Sequence, residues 1–170
     1  MARTAHDLRI NALELLRHPG ATRHIETVVP PAELDVHDDR VAGDIAVAID
    51  ATSSVDGVIV HGTVSTPWQG QCRRCLVDVS GTAVSAVEEV FQYHPQHQDA
   101  IEIVGDQIDL APLVREYVLL DLPDAPLCKD DCAGICPTCG VDRNVTSCDC
   151  GTTPADPRWS ALEGLQLDDE

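Results

Sequence analysis

Val58-Ile59-Val60-His61-Gly62-Thr63-Val64-Ser65-Thr66, followed by Pro67-Trp68-Gln69-Gly70-Gln71 and then Cys72-Arg73-Arg74-Cys75-Leu76, is the stretch from which the architecture can be read. Its first part is rich in β-branched residues and reads as a strand. Pro67 then interrupts the run, and two cysteines follow with two arginines between them. From Leu76 to Phe91 the β-rich pattern resumes, with a bend or bulge expected near Gly81, because glycine weakens a strand interior. The cysteine pair is therefore placed at the tip of a hairpin.

Working outward, Ile45, Val47 and Ile49 alternate with smaller residues, and Asp56-Gly57 offers a turn before Val58. Residues 43–91 thus read as an antiparallel meander. Residues 23–29 form a further strand ended by Pro30-Pro31. Residues 8–18 place Leu8, Ala12, Leu15 and Leu16 on one helical face, with Pro19-Gly20 as a stop. Downstream, residues 94–100 are loop by composition and Ile101 to Val104 is a short strand. Asp109 is positioned to cap a helix over residues 110–120, with Pro112 in its first turn. Leu110, Leu113, Val114, Tyr117 and Val118 make its apolar stripe, which should pack on the meander.

Beyond Pro123 the apolar periodicity stops, and residues 123–157 are rich in Cys, Asp, Gly and Pro. Such a segment buries too little to fold alone, so bound metal is expected to order it. Asp156-Pro157 then begins a last short helix carrying Trp159, Leu162 and Leu165. The fold class expected is α+β: an antiparallel β-meander or partly open barrel, one main packed helix and a cysteine-rich, zinc-ordered C-terminal tail. Residues 1–127 would form the β-rich body with its hairpin-tip cysteines and main helix. Residues 128–170 would form the zinc-binding tail and terminal helix.

The tail pattern is Cys128-x3-Cys132-x3-Cys136-x2-Cys139-x8-Cys148-x-Cys150. With Cys72 and Cys75 it supplies eight sulfurs, enough for two four-thiolate sites holding two zinc ions. All-sulfur ligation selects zinc or an iron-sulfur centre over oxygen-loving cations. A closed four-cysteine site leaves no position for water, so zinc here would be structural. Two partitions are open. In one, Cys72 and Cys75 join Cys128 and Cys132, while Cys136, Cys139, Cys148 and Cys150 form a local clasp. In the other, the tail cysteines rearrange and Cys72 and Cys75 recruit a different pair. Loop closure favours the local clasp.

Composition limits the functional classes. The formal charge is −18, and eight thiolates around two divalent ions would bring it to about −22. So acidic a chain repels a bare phosphate backbone, and basic partners suit it better. No run of about 18 apolar residues exists, so no membrane span is expected. The first residues lack the apolar segment of a signal peptide, which points to a reducing cytoplasm and to metal over disulfides. Large rings are few, namely Trp68, Phe91, Tyr93, Tyr117 and Trp159, so burial must come from Val, Ile, Leu and Ala. No phosphate loop, Ser-His-Asp set or paired carboxylates can be argued, and neither an enzyme nor a small-molecule substrate is expected. His94 and His97 are spaced to share a metal but lie in a polar loop. A thiol-exchange reading of Cys72-Arg73-Arg74-Cys75 has arginines to lower thiol pKa values, yet such motifs open a helix and these flanks are strands.

Gly70-Gln71-Cys72-Arg73-Arg74-Cys75-Leu76, Cys132-Ala133-Gly134-Ile135-Cys136-Pro137-Thr138-Cys139-Gly140, Cys148-Asp149-Cys150 and Asp156-Pro157-Arg158-Trp159, in that order, resemble the YceD-like family of large ribosomal RNA subunit accumulation proteins. The similarity spans residues 43–165. It implies a non-enzymatic, cytoplasmic role in ribosomal RNA accumulation or large-subunit assembly, with a large-subunit ribosomal protein or assembly intermediate as partner. It also implies that Cys72 and Cys75 pair with Cys128 and Cys132. The chain departs from the usual family pattern at Ile135 and at Asp142-Arg143, without losing a ligand. Direct binding of ribosomal RNA is the alternative, motivated by Arg73, Arg74, Lys129, Arg143 and Arg158 near the cysteines. Those residues would serve equally to neutralise zinc-bound thiolates. Residues 128–158 hold three basic side chains against Asp130, Asp131, Asp142, Asp149 and Asp156.

Overall fold

Alternating β-branched residues build most of this molecule. The computed structural model describes residues 5–95 and 98–150, together with Arg158. In chain order its elements are β1 (Arg9–Asn11), α1 (Ala12–Leu16), β2 (Thr22–Val29), β3 (Ile45–Ser53), β4 (Val58–Gln71), β5 (Asp78–Gln92), β6 (Ala100–Glu102), β7 (Gln107–Asp109) and α2 (Ala111–Asp121). Strands β2 to β6 lie in sequence order in one five-stranded sheet, and β1 pairs with β7 in a second. The larger sheet is an antiparallel meander through β5, and β6 is then added in parallel. With β2 and β6 at its two ends, it does not close into a barrel. The class is α+β with one main helix. Among the described residues, no helix is long and apolar enough to cross a membrane.

One face of the sheet is the core. Ile25 and Val29, Ile45, Val47 and Ile49, Val58, Val60 and Val64, and Val87 and Phe91 all point into it. Each such burial contributes roughly 1.5–3 kcal/mol. Helix α2 covers this face with Leu113, Val114 and Val118, and Leu110 is buried just before it. Asp109 Oδ1 accepts the Ala111 N–H at 3.0 Å, but the cap position expected at Asp109 falls one residue later, at Leu110, whose side chain makes no capping bond. Among the described residues the other face is left uncovered. Across it His24, Asp50, His61 and Glu88 stand opposite one another on four successive strands.

Several local expectations change. Leu8 and Ile10 are buried while Arg9 and Asn11 are exposed, a two-residue period that makes β1 and pairs Ile10 with Ile108. The helix expected over residues 8–18 is confined to α1, which starts after Asn11, whose side chain accepts the Glu14 N–H at 2.9 Å. Sheet pairing and that cap override the helical spacing. Strand β4 runs on through Pro67 to Gln71. The Pro67 carbonyl accepts from Ala42 N–H at 2.9 Å, so the edge lacking an N–H faces the loop around residue 42 and spares the ladder to β5.

There is no bulge at Gly81, since β4 and β5 stay in unbroken register from Val58↔Phe91 to Gln71↔Asp78. Gly81 lies opposite Trp68, and an added Cβ would come within 2.9 Å of Cζ2 of the indole. Glycine is there to seat the ring. The strand expected at Ile101 to Val104 is β6, shorter and parallel. The terminal helix expected from Asp156-Pro157, with Trp159, Leu162 and Leu165, lies outside the described residues, as does His97.

Candidate metal centres

The length of β4 and β5 carries their connection past the core, and the connection is the first cysteine knuckle. Cys72 N–H donates to the Val77 carbonyl at 2.8 Å, and Leu76 N–H returns to the Cys72 carbonyl at 2.9 Å. In the tail, Cys136 N–H donates to the Val141 carbonyl at 2.8 Å and Gly140 N–H to the Cys136 carbonyl at 2.8 Å. The two knuckles share one hydrogen-bond scheme, with a left-handed residue after the second cysteine of each: Leu76 at φ 62° and Gly140 at φ 73°. Backbone folded this way turns the sulfurs of Cys-x-x-Cys toward a common point.

The sulfurs gather in two groups. Cys72, Cys75, Cys128 and Cys132 form one, Cys136, Cys139, Cys148 and Cys150 the other, and within each all sulfurs lie within 4.8 Å of one another. In the first, Cys72 and Cys132 Sγ are 3.7 Å apart, and Cys75 and Cys128 Sγ 3.6 Å. Those separations are far too long for disulfide bonds. A tetrahedral ion with Zn–S near 2.3 Å sets its sulfurs about 3.8 Å apart, so the donors and spacing fit one tetrahedral ion. His94 belongs to neither group.

The chain from Pro126 to Ile135 docks on the first knuckle by main-chain contacts. Arg73 N–H donates to the Pro126 carbonyl at 2.9 Å, and Ile135 N–H to the Arg74 carbonyl at 3.0 Å. Gly134 permits this approach: at φ 71°, an added Cβ would lie 3.1 Å from that same Arg74 oxygen.

Electrostatics follow from these turns. Burial pushes the Cys72 thiol up, but the N–H groups of Cys75, Arg74 and Cys128 outweigh it and bring it to about 6. Cys136 is brought to about 5 by the Cys139 and Thr138 N–H groups, against burial. Cys132 is also lowered, since the Asn144 amide and the Gly134 N–H overcome its burial. Cys128 is pushed up to about 12, by burial and then by the neighbouring sulfurs. Cys150 is likewise pushed up to about 12, first by the Cys139 sulfur and then by burial. Sulfurs this close cannot all ionise together unless a cation neutralises them.

The basic residues separate by role. Arg74 Nη1 donates to the Cys132 carbonyl at 2.9 Å. The Arg143 guanidinium has its pKa raised by the neighbouring Cys136 sulfur first and the Cys148 sulfur second. Lys129 faces Asp131 at 3.7 Å. Arg73 is exposed at the knuckle tip, and Arg158 is exposed. Asn144 escaped the sequence reading: its Nδ2 donates to Cys132 Sγ at 3.4 Å. The signal for it was the polar run Asp142-Arg143-Asn144 between a knuckle and a Cys-x-Cys.

Residues 60–166 match the family model described as Large ribosomal RNA subunit accumulation protein YceD, a span that contains all eight cysteines. An uncharacterized protein of Mycobacterium tuberculosis is 34% identical over 170 residues, covering 93% of this chain and 81% of that protein. The uncharacterized protein YlbN of Bacillus subtilis is 34% identical over 115 residues, 64% of this chain and 66% of its own length. A chloroplastic protein of Arabidopsis thaliana named Large ribosomal RNA subunit accumulation protein YCED homolog 1 is 32% identical over 60 residues, 35% of this chain and 19% of its own. No solved structure matches the chain.

Proposed function

Because this chain belongs to the YceD family of large ribosomal RNA subunit accumulation proteins, we propose that it is a non-enzymatic, cytoplasmic zinc-binding factor supporting ribosomal RNA accumulation and large-subunit assembly. Each four-sulfur group holds one zinc ion. Metal orders the tail, residues 128–170, upon the body, residues 1–127, so that both present a single surface. The observation carrying this reading is the pair of four-sulfur groups, each built on a knuckle and spaced for a tetrahedral ion, inside the matched span. Zinc would supply charge neutralisation and cross-linking, with all four positions taken by cysteine.

The partner is a basic protein of the large subunit or of an assembly intermediate. Support comes from the formal charge of −18 and from the state of the basic side chains at the knuckles. Arg74 is spent on a carbonyl, and Lys129 faces an aspartate. A direct RNA grip would need such groups free to meet phosphate. Thiol exchange is supported less well, because Cys72 and Cys75 pair at close range with Cys132 and Cys128 at a hairpin tip.

The test is affinity capture of the tagged chain from cells, with and without ribonuclease. Large-subunit proteins retained after ribonuclease are the expected result. Their loss would favour the RNA-binding alternative, and capture of nothing ribosomal would overturn the assembly role.

A further inference from the structure

The two sulfur groups share one short peptide, Asp142-Arg143-Asn144. It belongs to the loop between Cys139 and Cys148, which only the second group closes. Asn144 nevertheless turns to the first group. Its Nδ2 donates to Cys132 Sγ at 3.4 Å, and its Oδ1 accepts the Ala133 N–H at 2.9 Å. On the side of the second group, Cys136 N–H donates to the carbonyl of Val141, the residue just before this peptide, at 2.8 Å. The Arg143 backbone N–H donates to the Gly134 carbonyl at 2.9 Å.

Asp142 stiffens the peptide. Its Oδ1 accepts from the Asn144 backbone N–H at 2.8 Å and from Nδ2 at 2.7 Å. Asp142 also bridges to Ile135, whose N–H donates to the Arg74 carbonyl of the first knuckle at 3.0 Å. A continuous chain of hydrogen bonds therefore runs from the second group, through residues 142–144, to both halves of the first. Cys132, where it ends, is 2% exposed, so water does not readily replace the amide that touches its sulfur.

We infer that Asn144 makes metal loading of the two groups cooperative: closing the second group seats its amide on Cys132 and tightens the first. By thermodynamic reciprocity a filled first group tightens the second. The amide N–H disperses negative charge on a metal-bound thiolate, and groups placed like this typically change metal affinity about 10–100-fold. The inference rests on the metal-binding reading proposed above.

The experiment uses the full chain, reduced and stripped of metal, titrated with Zn²⁺ against a chromophoric chelator of known affinity. Cobalt(II) absorption then reports thiolate ligation at each group. Three proteins are compared with the unaltered chain: Asn144→Ala, the double variant Cys136→Ser with Cys139→Ser, and all three changes together. Asn144→Ala retains every cysteine, so its result does not depend on losing a ligand. Affinity of the first group should fall about 10-fold in Asn144→Ala. It should fall at least about 5-fold in the double variant, and no further when Asn144→Ala is added to it. First-group affinity unchanged in the double variant, or losses that multiply in the triple one, would overturn the coupling while leaving metal binding intact. An unaltered chain that binds no Zn²⁺ would overturn the metal reading and the coupling with it.

Discussion

Leu76 stands in the first knuckle where Gly140 stands in the second, both left-handed, at φ 62° and 73°. The hydrogen-bond scheme around them is the same, yet only one position carries the residue that adopts this backbone freely. A left-handed residue with a Cβ costs roughly 1–2 kcal/mol, and glycine loses roughly 0.5–1 kcal/mol through its freedom in the unfolded chain. Nothing lies within 4 Å of a Cβ added at Gly140, so the cost there is purely conformational. Gly140→Leu should therefore lower stability by up to about 1.5 kcal/mol. Leu76→Gly should raise it, by up to about 1 kcal/mol. Denaturant unfolding of the metal-loaded variants reads both, and equal losses in the two directions would contradict this account of the knuckles.

Gly81 makes a second prediction, about packing. A Cβ there meets the Trp68 indole at 2.9 Å, on strands whose register is unbroken. Gly81→Val should cost about 1–3 kcal/mol as the ring is displaced. In a Trp159→Phe background, Trp68 fluorescence should shift with it. Unchanged emission would mean that the indole does not rest on Gly81.

The open face of the sheet carries a pH response. His24 Nδ1 lies 2.7 Å from Asp50 Oδ1, and its pKa is raised above 6.5, first by that hydrogen bond, then by the Asp50 charge, with a smaller contribution from Glu26. A raised folded-state pKa gives stabilisation that is fully present below the unfolded value near 6.5 and is lost as pH rises through the folded value. Asp50→Asn should bring the His24 midpoint down. Proton NMR of the ring across the titration checks this, and an unmoved midpoint would remove Asp50 as the cause.

Much of the sheet was legible because Ile45, Val47 and Ile49 and their partners repeat every second residue, a pattern that survives without knowledge of neighbours. The main helix was legible from its stripe and, to within one residue, from Asp109, whose carboxylate accepts the Ala111 N–H just ahead of the actual cap at Leu110. What failed depended on contacts distant in sequence. Leu8 and Ile10 read as helical until β7 pairs with their segment, and Gly81 read as a weak point until Trp68 is seen opposite it. Parallel addition of β6 leaves no local signature. The eight cysteines were conspicuous by spacing, and the structure gathers them as Cys72, Cys75, Cys128 and Cys132, and Cys136, Cys139, Cys148 and Cys150. Asn144 was invisible because an amide that touches sulfur looks, in sequence, like any loop asparagine.

The central claim is that two four-cysteine groups each hold one structural zinc ion, and elemental analysis of reduced chain purified without added metal tests it most directly. The account predicts a colourless protein with close to two zinc per chain, and close to one in Cys136→Ser with Cys139→Ser. A brown, iron-containing sample, or a folded chain that carries no zinc, would contradict it.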